Sequence, residues 1–187
     1  MEFTYHTIES APDASKPLLE KSQNRYKFIP NLHAVMAESP QLLEAYQALS
    51  DLYAKTSLSV LERQVVLIAI NYENDCHYCM AAHSAIATME KMPADILEAL
   101  RTGAPLADPK LQALRSFAVT VTVTRGWPSD EDVKALLDAG YSKQVLLEII
   151  LAVGYKVLSN YVNHLAETDL DEGFKPFHWT KTAEAAE

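Results

Sequence analysis

Residues 58–87 read LSVLERQVVLIAINYENDCHYCMAAHSAIA, and the fold turns on how the first half of this stretch is taken. VVLIAI at 65–70 is apolar and β-branched, and over so short a run periodicity alone does not separate a buried strand from a buried helix. Two features favour helix. Ser59 followed three residues later by Glu62 makes a capping-box pattern. Glu62, Arg63 and Gln64 then lead into the apolar run without a turn signal, giving about 13 residues, a helix length rather than a strand length. Asn74 and Asp75 are cap-type residues directly before Cys76. The Ala-rich CMAAHSAIATMEK that follows has the composition of a good helix former. The stretch therefore predicts two helices joined by a short capped turn. In the second, Cys76, Cys79 and His83 share a face, because i+3 and i+4 neighbours stack along a helix.

Outward from this stretch the chain also reads as helical. Residues 1–25 lack clear periodicity and predict an extended arm, with one short helix around Lys16 to Ser22. FIPNLHAVMAESP predicts helix from Asn31 to Ala37. Ser39-Pro40 is a helix start with Ser as N-cap and Pro at the first position, and Leu42, Leu43, Tyr46, Leu49 and Tyr53 follow at helical spacing. PADILEALRTG forms a short helix stopped by Gly103. Asp108-Pro109 opens another helix, with Leu111, Leu114, Phe117, Ala118 and Val121 on one face. Its end, AVTVTVT, alternates with period two and by propensity reads as strand; helix is kept there. Ser129 caps DEDVKALLDAG, and Ser142 caps a long last helix through VLLEIILAVGYKVLSNYVNHLAE. The expected architecture is all-α, about seven or eight helices, with a domain at 26–170 between an N-terminal arm at 1–25 and an aromatic-bearing C-terminal arm at 171–187.

Composition narrows the function classes. The 187 residues carry a net charge of −9 and no Lys/Arg cluster, which leaves nucleic-acid binding without its electrostatic footprint. No signal peptide is visible. The longest apolar runs, such as VVLIAI at 65–70 and VLLEIILAV at 145–153, fall short of the roughly 20 residues a membrane span needs. A cytoplasmic location is expected, and in a reducing compartment a lone C-x-x-C is catalytic or metal-binding more often than a structural staple.

The two cysteines and His83 then admit several readings. In the redox reading Cys79 sits in the first turn of a helix, where the positive end of the macrodipole lowers a thiol pKa. His83 takes or relays its proton, and Cys76 resolves a sulfenic acid at Cys79 as a disulfide. A zinc site would use Cys76, Cys79 and His83, with only His77 or Asp75 as a strained fourth ligand. Haem attachment needs His where Met80 stands, and a thioredoxin-type fold needs a βαβ setting. Against these stands the plain alternative of two ordinary core cysteines beside a solvated histidine.

At residues 58–87 the chain closely resembles the core of the AhpD-like alkylhydroperoxidases of the carboxymuconolactone decarboxylase superfamily. IPNLHAVMAESPQLLEAYQAL, DPKLQALRSFAVTVT, DEDVKALLDAGYS and YVNHLAE extend the resemblance, to its peroxidase-related branch, over about residues 28–179. The resemblance implies an AhpD-like helical bundle assembled as trimers or hexamers. It implies thiol-dependent reduction of alkyl hydroperoxides with no organic cofactor or metal, driven by a dithiol reductant whose identity the sequence does not reveal. Carried over by position, Cys79 matches the peroxidatic cysteine, Cys76 its resolving partner in a redox disulfide, and His83 the relay histidine. The family's relay glutamate, twelve residues before the first cysteine, is Gln64 here. An amide cannot accept a proton at neutral pH, and Glu62, about 200° around the helix from that position, is no simple substitute. Tyr78, where well-characterised members have His, is a branch marker. Two alternatives follow: a low-turnover redox-sensing or structural member disabled by Gln64, and a decarboxylase-type lyase, against which the cysteine pair argues.

Among the remaining residues, Tyr161, Asn163 and His164 read as a polar helix end with one packed tyrosine, the alternative being a substrate pocket or trimer seam, and Lys156 as a snorkelling side chain. His33 reads as an ordinary surface or packed histidine. Trp127 and Trp179 read as packing or interface anchors. Glu62 and Arg63 read as a solvated helix start or a pair across subunits.

Overall fold

The computed structural model describes residues 2–181. Within them the chain forms nine α-helices and two short 3-10 segments: α1 (Lys16–Tyr26), α2 (Asn31–Met36), α3 (Pro40–Tyr53), α4 (Val60–Glu73), α5 (His77–Met89), α6 (Ala94–Thr102), α7 (Pro109–Val123), α8 (Asp130–Asp138) and α9 (Lys143–Ala166), with 3-10 turns at Asp13–Ser15 and Glu172–Phe177. The all-α expectation holds among the described residues, with nine α-helices where about seven or eight were expected. Residues 182–187 of the expected C-terminal arm lie outside the described residues.

The ambiguous apolar run is the central helix. α4 begins with the capping box read from sequence: the Glu62 amide donates to Ser59 Oγ at 3.3 Å, and the Ser59 amide donates to Glu62 Oε2 at 2.8 Å. From Gln64 to Tyr72 every residue is buried, which is what an apolar circumference requires of a helix in a soluble core. The walls around α4 are α5, α6, α7 and α9. Its end is held at Gly103, whose backbone is left-handed (φ 78°) and where any Cβ would run into the Tyr72 ring.

α7 shows why a strand-like tail becomes helix. Thr122 and Thr124 donate their hydroxyls to the carbonyls of Ala118 and Thr120, each at 2.7 Å. Their polar atoms are thus satisfied within the helix. Val121 is buried, while Val123 faces out.

Counted as a whole rather than by the run at 145–153, the 24-residue α9 is long and apolar enough to cross a bilayer. It packs along α2, α3, α4, α5 and α7 instead. Its outward side still exposes Leu147, Ile150 and Leu165.

Both ends of the chain are tied to the core. α1 buries Leu19 and Ser22, and Ser15 Oγ donates to the Ala37 carbonyl at 2.6 Å. At the other end Asp171 accepts from Tyr78 Oη at 2.5 Å and from the Asn31 amide at 3.0 Å. Trp179 is buried as an anchor, its indole N–H donating to the Arg101 carbonyl at 2.7 Å, while Trp127 is exposed.

Candidate active site: a buried dithiol between α5 and α9

The turn between α4 and α5 sets the cysteines. Asn74 closes α4, Asp75 takes the left-handed region (φ 52°), and Cys76 is itself the N-cap of α5. The expectation that Asn74 or Asp75 would cap the helix shifts by one residue. Cys79 consequently lies in the first turn, where three amide N–H groups have no intrahelical partner and the dipole favours an anion. Both cysteines are free thiols, 0% and 2% exposed.

Opposite them, α9 presents Lys156, Ser159, Asn160 and Asn163 at i, i+3, i+4 and i+7, all buried on one face. Asn163 Nδ2 donates to Cys79 Sγ at 3.2 Å and lies 3.8 Å from Cys76 Sγ. Asn160 Nδ2 donates to Asn71 Oδ1 at 3.0 Å, and Asn71 Nδ2 in turn donates to the Cys79 carbonyl at 3.3 Å. Lys156 does not snorkel. It is 1% exposed, and its ammonium donates to His83 Nε2 at 3.1 Å. Asn163 is likewise part of the thiol site rather than a polar helix end; His164 faces out, and so does Tyr161, which was expected to pack but lies on the outward side of α9.

The hydrogen-bond chain assigns the histidine tautomer. Gln64 Nε2 donates to Glu90 Oε2 at 2.9 Å, and a carboxylate only accepts. Gln64 therefore turns Oε1 toward His83, where the contact to Nδ1 is 3.0 Å. Nδ1 carries the proton, and Nε2 offers a lone pair to Lys156. Burial, reinforced by the Lys156 charge, holds the His83 imidazole well below its ordinary pKa, so it is neutral. Among the described residues His83 bonds to Gln64 and Lys156 rather than to a thiol. His83, expected to take or relay the Cys79 proton, is thus hydrogen-bonded to Lys156, which borders the same cavity as Cys79. Glu62, as the helical rotation required, is elsewhere: it caps α4 and accepts from Tyr141 Oη at 2.9 Å.

The two thiols separate electrostatically. Burial pushes Cys79 up, but the Cys76 thiol as donor, the Lys156 charge, and Ser159 and Asn160 outweigh it, leaving Cys79 below the ordinary thiol range. Donation to Cys79, then burial and the Cys79 charge, push Cys76 up. The arrangement is a thiolate at 79 supported by a neutral thiol at 76, the division of labour that thiol–disulfide chemistry uses.

A cavity of about 360 Å³ opens beside Cys79 and Lys156, walled by Phe28, Leu32, Tyr46 and Phe174. His33 also borders it. This histidine is packed rather than exposed, hydrogen-bonded to Ser22 Oγ at 2.7 Å, and held down to about 4 by burial and then by the Arg25 charge. The sequence signal for the α9 residues was present as polar side chains at helical spacing inside an apolar helix. Only the packing of α9 on α5 gives that spacing a partner.

Comparison with known proteins finds a family match over the middle of the chain and a shared fold over nearly all of it. Residues 40–120 match the Carboxymuconolactone decarboxylase family. An AhpD-core peroxidase-related protein from Ralstonia eutropha JMP134 superposes with a TM-score of 0.81 at 23% identity, over 92% of this chain and 93% of that one. A peroxidase-related protein from Silicibacter sp. TM1040 gives 0.77 at 22% identity, over 93% and 95%. The debrominase Bmp8, in complex with 2,3,4-tribromopyrrole, gives 0.78 at 17% identity, over 95% of each chain. At these identities the likeness is one of fold. No curated protein matches the chain by sequence.

Proposed function

We propose that this protein reduces alkyl hydroperoxides through a Cys76–Cys79 dithiol–disulfide cycle. The observation that carries this reading is the Cys79 thiol, held as an anion by Asn163, Cys76 and Lys156 at the edge of an apolar cavity. The Cys79 thiolate attacks the peroxide, the O–O bond breaks, and the departing alkoxide takes a proton from the Lys156 ammonium to leave as an alcohol. The oxygen stays on Cys79 as a sulfenic acid. Cys76 then attacks that sulfur, the S–O bond breaks, and water leaves with the Cys76 proton, closing the disulfide. A dithiol reductant restores the two thiols. Lys156 recovers its proton through the solvent, and His83, fixed by Gln64 and Glu90, holds the lysine in place. The scheme uses no cofactor or metal, and its need for reduced dithiol suits the cytoplasm. The exposed Leu147, Ile150 and Leu165 of α9 support a homo-oligomer, a trimer or hexamer.

A second reading is favoured by the aromatic cavity wall and by the fold shared with a debrominase. In it, the Cys79 thiolate takes the halogen of an aromatic halide as a sulfenyl halide and the ring takes a proton. Cys76 then releases halide ion as the same disulfide forms.

Thiol counting and intact mass before and after one equivalent of cumene hydroperoxide test the proposal. Loss of both thiols and of about 2 Da, with turnover in excess dithiothreitol, is expected for a disulfide-forming peroxidase. Oxidation that stops after one equivalent despite excess dithiothreitol would favour the low-turnover sensor. Halide release from a halogenated phenol without peroxide consumption would favour the second reading.

A further inference from the structure

The CxxC motif is approached from two sides. The apolar cavity borders Cys79 and not Cys76. A separate polar cleft of about 540 Å³ borders Cys76 and not Cys79, with His77, Asn163, His164, Glu167 and Thr168 among its walls. Two residues that line this cleft, 5% and 9% exposed, each carry a buried polar atom with no partner among the described residues: Asn163 Oδ1 and Thr168 Oγ1. Buried polar atoms are almost always satisfied, so orphans on residues that line a cleft point to a ligand that reaches them. Asn163 Oδ1 can only accept, so the ligand supplies an N–H or O–H. Thr168 Oγ1 can donate or accept. The rim holds the side chains of Asp75 and Glu167, with His77 Nε2 3.4 Å from Asp75 Oδ1, which disfavours an anionic ligand.

Resting on the disulfide cycle proposed above, we propose that this cleft is the reductant's site: a dithiol bearing amide or hydroxyl groups binds there and attacks Cys76. Displacement at sulfur proceeds in line, the nucleophile arriving opposite the leaving sulfur, and the sulfur of lower pKa leaves faster. Cys79 is that leaving group, stabilised by Asn163 and Lys156. A thiol in the cleft meets Cys76 rather than Cys79. Its thiolate bonds to Cys76 Sγ, the Cys76–Cys79 bond breaks, and the electron pair stays on Cys79. The reductant's second thiol then attacks its own mixed-disulfide sulfur. Cys76 departs as a thiolate and takes up a proton, and the reductant leaves as a disulfide. Cys76 is fully covered in the dithiol form; a ligand that satisfies Asn163 Oδ1 and Thr168 Oγ1 draws these side chains off the sulfur it must reach. Substrate and reductant thereby use separate mouths.

The test separates the two half-reactions in the full chain. The disulfide is formed with diamide, independently of any peroxide activity, and its reduction by dithiothreitol, a hydroxyl-bearing dithiol, is followed by stopped flow. His164→Trp, which fills the cleft, slows this reduction at least roughly tenfold by denying access. Thr168→Val slows it about fivefold, the loss of one hydrogen bond. Ile86→Trp, which fills the apolar cavity, leaves reduction within about twofold of wild type and slows oxidation by cumene hydroperoxide at least roughly tenfold. Reduction slowed by Ile86→Trp and by neither cleft variant overturns the proposal, as does an equal loss in both half-reactions for His164→Trp. A wild-type chain inert to peroxide but with cleft-dependent reduction of the diamide-formed disulfide would sink the hydroperoxide reading and leave the reductant site standing.

Discussion

The first turn of α5 and the middle of α9 hold the same two sulfurs, yet they differ in kind. α5 supplies the sulfur atoms in a compact motif, with Cys76 as N-cap and Cys79 in the first turn. α9 supplies their environment from some 80 residues away in sequence: a cation at Lys156 and an amide donor at Asn163, interleaved with apolar positions. A motif can be recognised without its surroundings; a surrounding has no meaning until it is packed against something. If this comparison is right, changes in α5 should decide whether chemistry occurs, and changes in α9 how readily.

Cys79→Ser gives the largest effect. Hydroperoxide consumption should fall at least roughly a thousandfold, because a hydroxyl is far less nucleophilic than a thiolate. Cys76→Ser should instead stop after one equivalent, with an adduct of about 16 Da on Cys79 visible by intact mass. If Cys79→Ser still consumes peroxide, the roles within α5 are misassigned.

Lys156→Met tests the α9 side. Removing a nearby cation should raise the pH midpoint of Cys79 alkylation by iodoacetamide by about 1–3. Peroxide oxidation at neutral pH should slow about tenfold or more as the thiolate fraction falls. The stability consequence has a definite sign. A thiol whose folded-state pKa is depressed stabilises the fold fully above its ordinary value and loses that contribution as the pH falls through the lowered one. Lys156→Met should flatten this part of the stability profile in denaturant titrations. An unmoved alkylation midpoint would remove Lys156 from the account.

Gln64→Glu probes the far end of the chain through His83. A carboxylate at Nδ1 favours the imidazolium, so the His83 pKa, followed by NMR, should rise from its depressed position. Because the new carboxylate would sit against Glu90, the effect should be larger in the Gln64→Glu, Glu90→Gln pair. A gain of about tenfold in peroxide turnover is expected from a restored relay. No change in turnover would show that Lys156 suffices.

His33 gives a smaller effect, on stability alone. Burial lowers its pKa from 6.5 to about 4. For a histidine kept neutral in the fold, the stabilisation is full above 6.5 and is lost between that value and about 4, by roughly 3 kcal/mol. Replacing His33 with Asn should remove that part of the acid limb in pH-dependent denaturation, leaving the separate contribution of His83.

Much of the fold was legible because its signals are local. Ser59 with Glu62, Ser129 before α8, Asp108-Pro109 and Gly103 each act within one turn of the backbone, and the structure bears each one out. The expected N-terminal arm was less legible. α1 has few apolar residues, and its buried positions, Leu19 and Ser22, make sense only against α2 and α3. At the site, the Cys76, Cys79 and His83 grouping was readable from spacing, and Gln64 from the resemblance. Glu90 was not, because its link to Gln64 joins the start of α4 to the end of α5.

By itself the sequence determined an all-helical chain and a dithiol at the start of a helix, because caps, breakers and i, i+3, i+4 spacing act over a few residues of backbone. The tertiary structure decided what that dithiol experiences. Lys156 reads as a snorkelling lysine until α9 is packed on α5, since burial and charge are properties of the neighbours a side chain is given. The same packing divides the approaches to the two sulfurs, placing an apolar cavity beside Cys79 and a polar cleft beside Cys76.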